Sequence, residues 1–176
     1  GTILKLYDLN AKSAKAIFSL YDAKETIVSD PYIFKNMVSW SVYRINDDNS
    51  KTAEGDIYVY NIVSGSYSRL TESAPFINPV IWENYIICQR AEAYKSGIEI
   101  INTLNGARKE ITSSNNSKVP AREVHDYSAG SGYVAWNTSY ADSVCVYDIL
   151  NDKEYVLKNS KRDDKTDNSL LNVYIY

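Results

Sequence analysis

The side chains that most often perform covalent catalysis are scarce in this sequence. A Ser/His/Asp or Cys/His device needs a histidine, and the chain has 1, His125, followed directly by Asp126. No serine lies in the G-x-S-x-G pattern of a nucleophile elbow. An isolated histidine in a polar segment is usually exposed to solvent and idle. The sequence therefore predicts no catalytic residue.

One string imitates a cofactor motif. The residues GSGYVA at 130–135 match the dinucleotide fingerprint G-x-G-x-x-A. That fingerprint binds pyrophosphate only where a strand leads into a helix, whose first N–H groups hold the phosphates. Here the glycines stand before a segment with the pattern of a strand. We therefore interpret them as turn residues, and predict no cofactor.

Acidic segments could hold a cation or a pair of catalytic carboxylates. In the segment 44–56, Asp47 and Asn49 fit alternate positions of a calcium loop, but Lys51 and Thr52 fall where a ligand and a glycine are needed. Glycoside hydrolysis needs two carboxylates in one cleft, whereas Asp163 and Asp164 lie in a long polar run. Solvated loops are the better interpretation, and no metal site is predicted.

The 2 cysteines, Cys88 and Cys145, have no metal-ligand spacing and are too few for a disulfide scaffold. They could form a disulfide only if the fold brought them together. We favour two buried free thiols.

Composition sets the frame for these side chains. The 176 residues are 44% apolar and 23% charged, with a net charge of −3, so no strongly basic face is expected to bind nucleic acid. No apolar run approaches the roughly 20 residues of a membrane span, so membrane insertion is not predicted. The chain has 16 tyrosines against 3 phenylalanines and 1 methionine, a bias that favours strands over helices.

An internal repeat organises the chain. The segments KNMVSW, ENYIIC and SGYVAW begin 48 residues apart, at 35, 83 and 131, and LNVYIY at 171–176 is a fourth copy. The second residue of each copy is asparagine or glycine. These residue types tolerate the positive φ of a tight hairpin turn. The pattern predicts two strands, a and b, joined by a turn.

A second set of segments alternates with the first. When the copies are aligned on Tyr7, Tyr60, Ile101 and Tyr147, the next residue is always aspartate or asparagine. The residue five positions after each anchor is usually a turn former: Lys12, Gly65, Gly106 and Asp152. The residue ten positions after each anchor is always aliphatic. Each copy thus predicts a strand c, a polar turn and a strand d. The pattern outweighs the alanines of 9–24, the best helical candidate.

Four-stranded units that repeat every 40 to 50 residues are typical of a β-propeller. We predict an all-β single domain over 1–176, a β-propeller of about four antiparallel four-stranded blades, either closed or a fragment of a larger propeller. Its parts are a half blade at 3–18, blades at about 29–70, 76–111 and 124–157, and a half blade at 168–176. The two halves are complementary, so 172–176 is expected to pair with 3–9 and close the ring.

The segments GDIYVYNIVSGSYSRLT and SGIEIINTLNGARKEIT resemble the TolB-like propeller repeat, whose units read D-I-Y-x-x-(D/N)-…-G-…-L-T. The b strands with Trp40 and Trp136 also resemble repeats of archaeal and bacterial cell-surface propellers. The copy VCVYDIL departs from the pattern, with Cys145 in the tyrosine column and no Leu-Thr ending. The resemblance implies a blade repeat of exported or surface proteins, extracellular, cell-surface or periplasmic, that contacts proteins or ligands.

Function is expected at the end of the blades where the connections vary. The b–c connections, predicted at 41–55, 89–97 and 137–143, differ in length, and such loops usually carry binding residues. The exposed candidates there are Tyr43, Arg44, Arg90, Tyr94, Tyr140 and Asp142. The first hypothesis is a non-enzymatic module that binds a protein or glycan through this face. The alternative is a propeller hydrolase or lyase, or the propeller portion of a larger enzyme. Further blades or a second chain could complete the ring.

Overall fold

The structure, a computed structural model, describes residues 1–21, 26–45, 51–72, 76–92, 95–112, 124–138 and 143–158. These ranges contain strands and turns, and no helix. None of them therefore includes a helix long and apolar enough to cross a membrane. The strands are β1 (Thr2–Asp8), β2 (Ser13–Leu20), β3 (Thr26–Val28), β4 (Tyr32–Phe34), β5 (Met37–Ile45), β6 (Lys51–Asn61), β7 (Ser66–Arg69), β8 (Phe76–Trp82), β9 (Tyr85–Glu92), β10 (Lys95–Asn102), β11 (Arg108–Glu110), β12 (Val124–Gly130), β13 (Tyr133–Thr138), β14 (Ser143–Asp148) and β15 (Lys153–Lys158).

The strands form antiparallel sheets in chain order. β1 pairs with β2, β8 to β11 form the order β11-β10-β9-β8, and β12 to β15 form the order β12-β13-β14-β15. In the remaining sheet, β3-β5-β6-β7, the short strand β4 also pairs with β5. Strand a of that sheet is split at Pro31, because proline has no N–H to donate to a neighbouring strand. The fold class predicted from the repeats is confirmed: all-β, with four-stranded antiparallel sheets.

The chain divides into two compact units, Gly1–Ile81 and Trp82–Tyr176. In the first unit, the core joins the β1–β2 hairpin to the β5–β6–β7 sheet; its buried members are Ile17, Phe18, Val38, Trp40 and Tyr60. The b-strand column was predicted to be buried, and Trp40, Cys88 and Trp136 are 0%, 0% and 3% exposed. Tyr176, the fourth member of that column, lies outside the described residues.

The aspartate or asparagine that follows each anchor has the same structural role in all four c–d turns. Asp8 Oδ1 accepts the N–H of Asn10 at 2.8 Å, and Asp148 Oδ1 accepts that of Leu150 at 3.1 Å. Asn61 and Asn102 make the same bond, each to the residue two positions on, at 2.9 Å. These Asx turns satisfy backbone donors that the hairpin leaves unpaired. The repeat therefore preserves a hydrogen-bonding role, not a particular residue.

Backbone conformation confirms one turn column and corrects the other. Lys12, Gly65, Gly106 and Asp152, the predicted c–d turn residues, have positive φ between 49° and 71°. In the a–b turns the positive φ was predicted on the asparagine or glycine, but it falls one residue earlier, on Lys35, Glu83 and Ser131, and on Gly132 as well. Strand register sets where the chain must turn, and it imposes a left-handed φ on residue types that rarely adopt it.

The Leu-Thr ending of the repeat has a structural role. Thr71 Oγ1 accepts the N–H of Ile57 at 2.9 Å, and Thr112 Oγ1 accepts that of Ile98 at 2.8 Å. Both threonines are buried, so each hydroxyl fills a position in the strand-to-strand bonding where strand d ends beside strand c. The copy that begins at Val144 has Lys158 in place of this threonine.

Several predictions concern residues outside the described ranges. The closing half blade at 168–176 and its pairing with β1 belong to this group, as do Asp163 and Asp164, Asp47 and Asn49. Within the described residues, β1 pairs with β2 alone. The closure of the ring therefore stays a prediction.

Candidate functional site

Each sheet has two ends, which we name for what they carry. The turn end bears the a–b and c–d turns. The loop end bears the b–c connections; the b strands end at Ile45, Glu92 and Thr138, and the following c strands begin at Lys51, Lys95 and Ser143. These connections are shorter than predicted because the paired strands continue into the segments that the sequence had assigned to loops. Their lengths still differ, as expected for the end of a frame that carries function.

The six predicted site residues have different positions. Arg44 is exposed near the end of β5, and Arg90 is half-buried in β9. Tyr94, Tyr140 and Asp142 lie outside the described residues. Tyr43, predicted to be exposed in a loop, is a strand residue of β5 and only 9% exposed.

Tyr43 is buried because its cross-strand partner is a glycine. Tyr43 pairs with Gly55 in the β5–β6 ladder, and a Cβ added to Gly55 would lie 3.2 Å from Tyr43 Cβ and 2.6 Å from Phe76 O. Only glycine leaves that space to its neighbours. Burial, with a smaller contribution from the Asp30 carboxylate, raises the pKa of the Tyr43 phenol. Tyr43 is thus part of the core that supports the loop end.

Arg90 anchors an ion cluster at the loop end of the β8–β11 sheet. Its Nη2 lies 2.5 Å from Glu99 Oε2, and its Nη1 lies 3.8 Å from Glu110 Oε2. The Glu99 side chain is 4% exposed, whereas those of Arg90 and Glu110 are 30% and 36% exposed. A buried carboxylate needs a charged or hydrogen-bonded partner. The first role of Arg90 is therefore to neutralise Glu99, while its own side chain stays 30% exposed.

The β5–β7 sheet carries a different cluster at the corresponding position. Arg69 Nη2 lies 2.8 Å from Asp56 Oδ2, and Arg69 Nε donates to Thr71 O at 3.0 Å. Beside this pair, Tyr58 stacks on Trp40 with ring centres 5.7 Å apart, and Tyr67 lies 6.2 Å from Tyr58. Tyr67 is 55% exposed. The arrangement offers a polar pair next to an accessible aromatic ring, which suits recognition of a ligand with both polar and apolar faces.

Sequence reasoning missed Glu99, Asp56 and Arg69. They belong to strands c and d, where strand patterns mark frame residues instead of a site. One signal could have found two of them: Asp56 is the first residue of the D-I-Y motif, and Arg69 directly precedes its Leu-Thr ending. The functional end of the sheet therefore includes strand residues as well as connections.

Both thiols are free and buried. Burial, and then the Glu99 carboxylate, raises the pKa of Cys88, whose Sγ donates to Glu99 O at 3.6 Å. Burial, and then Glu154, raises the pKa of Cys145 to about 11. A raised thiol pKa means less thiolate at neutral pH, and the thiolate is the nucleophile. The expectation of buried free thiols is confirmed.

We therefore expect the folded protein to resist alkylation. At pH 7.5, iodoacetamide should modify neither cysteine within the time that labels a fully exposed thiol, and unfolding in guanidinium should release both. Mass spectrometry of the labelled protein measures this. Rapid labelling of one cysteine in the folded state would show that its strand opens or that it lies at the surface.

The string that resembles a dinucleotide fingerprint is a turn in the structure. Within GSGYVA, Ser131 and Gly132 form the turn between strands β12 and β13, as predicted, so no helix N-terminus follows the glycines. A Cβ on Gly132 would lie 3.2 Å from the ring of Trp82, so this glycine admits a close aromatic contact. His125 stands in β12. The described ranges contain no group of three or more His, Cys, Asp or Glu side chains that could hold a metal ion.

No protein-family model matches the chain, and comparison with curated proteins finds no match. Among solved structures, it is similar to the β-propeller domain of the Trilobed protease from Pyrococcus furiosus, which has an open velcro topology, with a TM-score of 0.55 and 16% identity over 80% of this chain and 46% of that chain. It is also similar to Pyrococcus horikoshii acylaminoacyl peptidase, with a TM-score of 0.52 and 15% identity over 78% of this chain and 26% of that chain. For TolB from Acinetobacter baumannii, the TM-score is 0.43 and the identity 13%, over 92% of this chain and 50% of that chain.

The chain thus spans less than half of the first of these proteins and about a quarter of the second. At such low identities the likeness concerns the fold alone. The repeats predicted a propeller, and the antiparallel sheets and both Pyrococcus structures agree with that prediction. The chain has a β-propeller fold.

Proposed function

We propose that this propeller is a non-enzymatic interaction module, exported or at the cell surface, which binds a protein or glycan through the loop end of its sheets. The observation that carries the proposal is the contrast between the two ends. The c–d turns repeat one Asx geometry in every copy, while the b–c connections differ in length. Variation on a constant frame is typical of a recognition surface.

The side chains at the loop end support recognition in preference to bond cleavage. Arg44 is exposed, and the Asp56–Arg69 pair, with side chains 21% and 40% exposed, lies next to Tyr58. Aromatic rings and arginine are the residue types enriched at binding hot spots. The carboxylates of Glu99 and Glu110 are already engaged by Arg90, an arrangement that stabilises their charge instead of preparing an acid and a base.

The test uses the full chain on an immobilised glycan array, with Arg44→Ala and Arg69→Ala as loop-end variants and Lys12→Ala, at the turn end, as the matched control. Loss of a hot-spot side chain should weaken binding about tenfold or more, while the control should bind normally. For a protein partner, a photo-reactive phenylalanine at position 44 or 69 should capture it in intact cells, and one at position 12 should not. Failure of both arms would overturn the proposal.

A second candidate is the propeller portion of a larger enzyme. It is favoured by the two Pyrococcus neighbours, a protease propeller domain and a peptidase, of which this chain spans only part. The coding region that flanks this segment distinguishes the candidates. A hydrolase domain in the same reading frame would favour the enzyme, and further blades or an anchor would favour the interaction module.

A further inference from the structure

The turn end of the first unit exposes aliphatic side chains that the core does not need. Leu9 in the β1–β2 turn is 82% exposed, Val63 in the β6–β7 turn is 78% exposed, and Ile33 beside the β4–β5 turn is 56% exposed. Polar residues would serve equally well in such turns. Repeated exposure of large apolar side chains in one region is typical of an interaction surface.

The three turns lie side by side. Lys15 Nζ lies 5.9 Å from the ring centre of Tyr60, the residue just before the β6–β7 turn, and 3.4 Å from the position of a Cβ on Gly65. Asn36 O, in the β4–β5 turn, accepts the N–H of Ile62 at 2.8 Å. The exposed aliphatic side chains therefore belong to one surface, which we call the tip surface: Leu9, Ile33 and Val63.

The charge around the tip surface is positive, although the whole chain carries −3. Lys12, Lys15 and Lys35 are exposed in or beside these turns. The aspartate of the same turns, Asp8, directs Oδ1 into its own turn, where it accepts the N–H groups of Asn10 and Ala11. Among the described residues of these turns, three lysines against one aspartate give a local excess of positive charge, a feature that the net charge conceals.

We propose that the tip surface docks on an anionic lipid bilayer. Aliphatic side chains exposed in or beside three adjacent turns would each need a matching pocket in a protein partner, whereas the headgroup boundary of a bilayer accepts them without one. Lysine side chains around the tips can lay their methylene stems along apolar material and extend their ammonium groups to lipid phosphates. The contact is peripheral and leaves the loop end free for the partner proposed above.

The second unit has the same exposed aliphatic position in its c–d turns. Leu104 is 75% exposed and Leu150 is 69% exposed. Their turns are joined, because Lys109 Nζ forms an ion pair with Asp152, whose Oδ1 also accepts the Tyr147 hydroxyl at 2.5 Å. Arg108, Lys109 and Lys153 stand beside these turns, but so do Asp148 and Asp152, and Lys109 is paired with Asp152. Among the described residues, the excess of positive charge is therefore larger at the tip surface of the first unit.

The test is co-sedimentation of the full chain with vesicles of phosphatidylcholine alone or containing phosphatidylglycerol. Binding should require phosphatidylglycerol and weaken with added salt. The variant Leu9→Ser/Ile33→Ser/Val63→Ser should lose about tenfold or more in partitioning, because each tip loses its apolar carbons. Lys12→Gln and Lys35→Gln should each lose about fivefold. Leu157→Ser, which removes an aliphatic side chain 59% exposed on strand β15, is the matched control.

Because the substituted side chains are exposed, the variants should keep the melting temperature of the parent, and circular dichroism checks this. Equal sedimentation of the parent with and without vesicles would overturn the proposal. So would equal vesicle binding by the triple variant and the Leu157→Ser control. Self-association of the parent that the triple substitution abolishes, without any vesicle binding, would assign the tip surface to a second copy of the chain instead.

Discussion

Replacing Trp40 with alanine is expected to lower the free energy of unfolding by about 3–5 kcal/mol, the cost of emptying a large aromatic site in a core. Trp40 is 0% exposed, and it lies 5.3 Å from the ring centre of Phe18 and 5.7 Å from that of Tyr58. It thus connects the β1–β2 hairpin to the neighbouring sheet. For a chain of this length, the loss corresponds to a fall in melting temperature on the order of 10 °C.

Two comparison variants test how much of this loss comes from the buried ring of Trp40 and how much from its Nε1–H group. Within the described residues, Trp40 Nε1 is buried without a hydrogen-bond acceptor. Such a donor destabilises the fold by about 1–3 kcal/mol. Trp40→Phe removes it together with part of the ring, so it should cost less than half as much as Trp40→Ala. Tyr67→Ala, in the same cluster but 55% exposed, should cost under about 1 kcal/mol.

Urea unfolding of the full chain measures all three variants. Trp136→Ala extends the comparison, because Trp136 occupies the same repeat column and is 3% exposed. It should destabilise the protein about as much as Trp40→Ala. An unchanged melting temperature for Trp136→Ala would contradict the register that aligns the copies.

The frame could be predicted from the sequence because local chemistry repeats in every copy. Asp8, Asn61, Asn102 and Asp148 differ in type, yet each accepts backbone N–H groups in its own turn. A steric or hydrogen-bonding requirement of this kind acts within a few residues and is visible without knowledge of the tertiary contacts. The sheets follow from these turns, since each turn defines which segments pair.

The loop-end cluster could not be predicted in the same way, because both faces of a blade are covered. In strand β10, Ile98 and Ile100 face one side and Glu99 faces the other, yet all three are buried, at 0%, 5% and 3% exposed. Alternation therefore does not distinguish an inner face from a solvent face. A glutamate in such a strand predicts a solvent-exposed position, and only the contact of Glu99 with Arg90 shows that this position is buried.

The length of the β5–β6 hairpin was also predicted wrongly. The segment 41–55 was predicted as a connection, yet β5 continues to Ile45 and β6 begins at Lys51, with a register shift in their ladder between Tyr43 and Ile45. Polar strand residues continue a ladder as well as apolar ones when backbone pairing is available. Tyr43 was therefore interpreted as a loop residue, although Gly55 opposite it makes room for its burial.

The second large effect concerns Arg90. Arg90→Met should destabilise the protein by about 3 kcal/mol, because removing one partner of a buried ion pair leaves an uncompensated charge. The charge in question is Glu99, whose side chain is 4% exposed and lies 2.5 Å from the guanidinium. Glu110, at 3.8 Å from Arg90, adds a second carboxylate that would then repel the first.

The mechanism predicts a rescue. Glu99→Gln introduced into the Arg90→Met chain removes the buried charge while it keeps the shape of the side chain, so it should recover about half or more of the lost stability. A purely steric role for Arg90 gives no such recovery, since the methionine still leaves the same gap. The four chains form a double-mutant cycle that urea unfolding completes.

Arg69→Met is the matched control. Its partner Asp56 lies 2.8 Å away at the corresponding place in the β5–β6–β7 sheet, but the two side chains are 40% and 21% exposed. An exposed pair contributes about 0–1 kcal/mol, because water solvates the remaining charge. If Arg90→Met costs no more than Arg69→Met, the Glu99 carboxylate reaches water after the substitution. The arginine would then be available to a ligand at little cost in stability, the role that the sequence assigned to it.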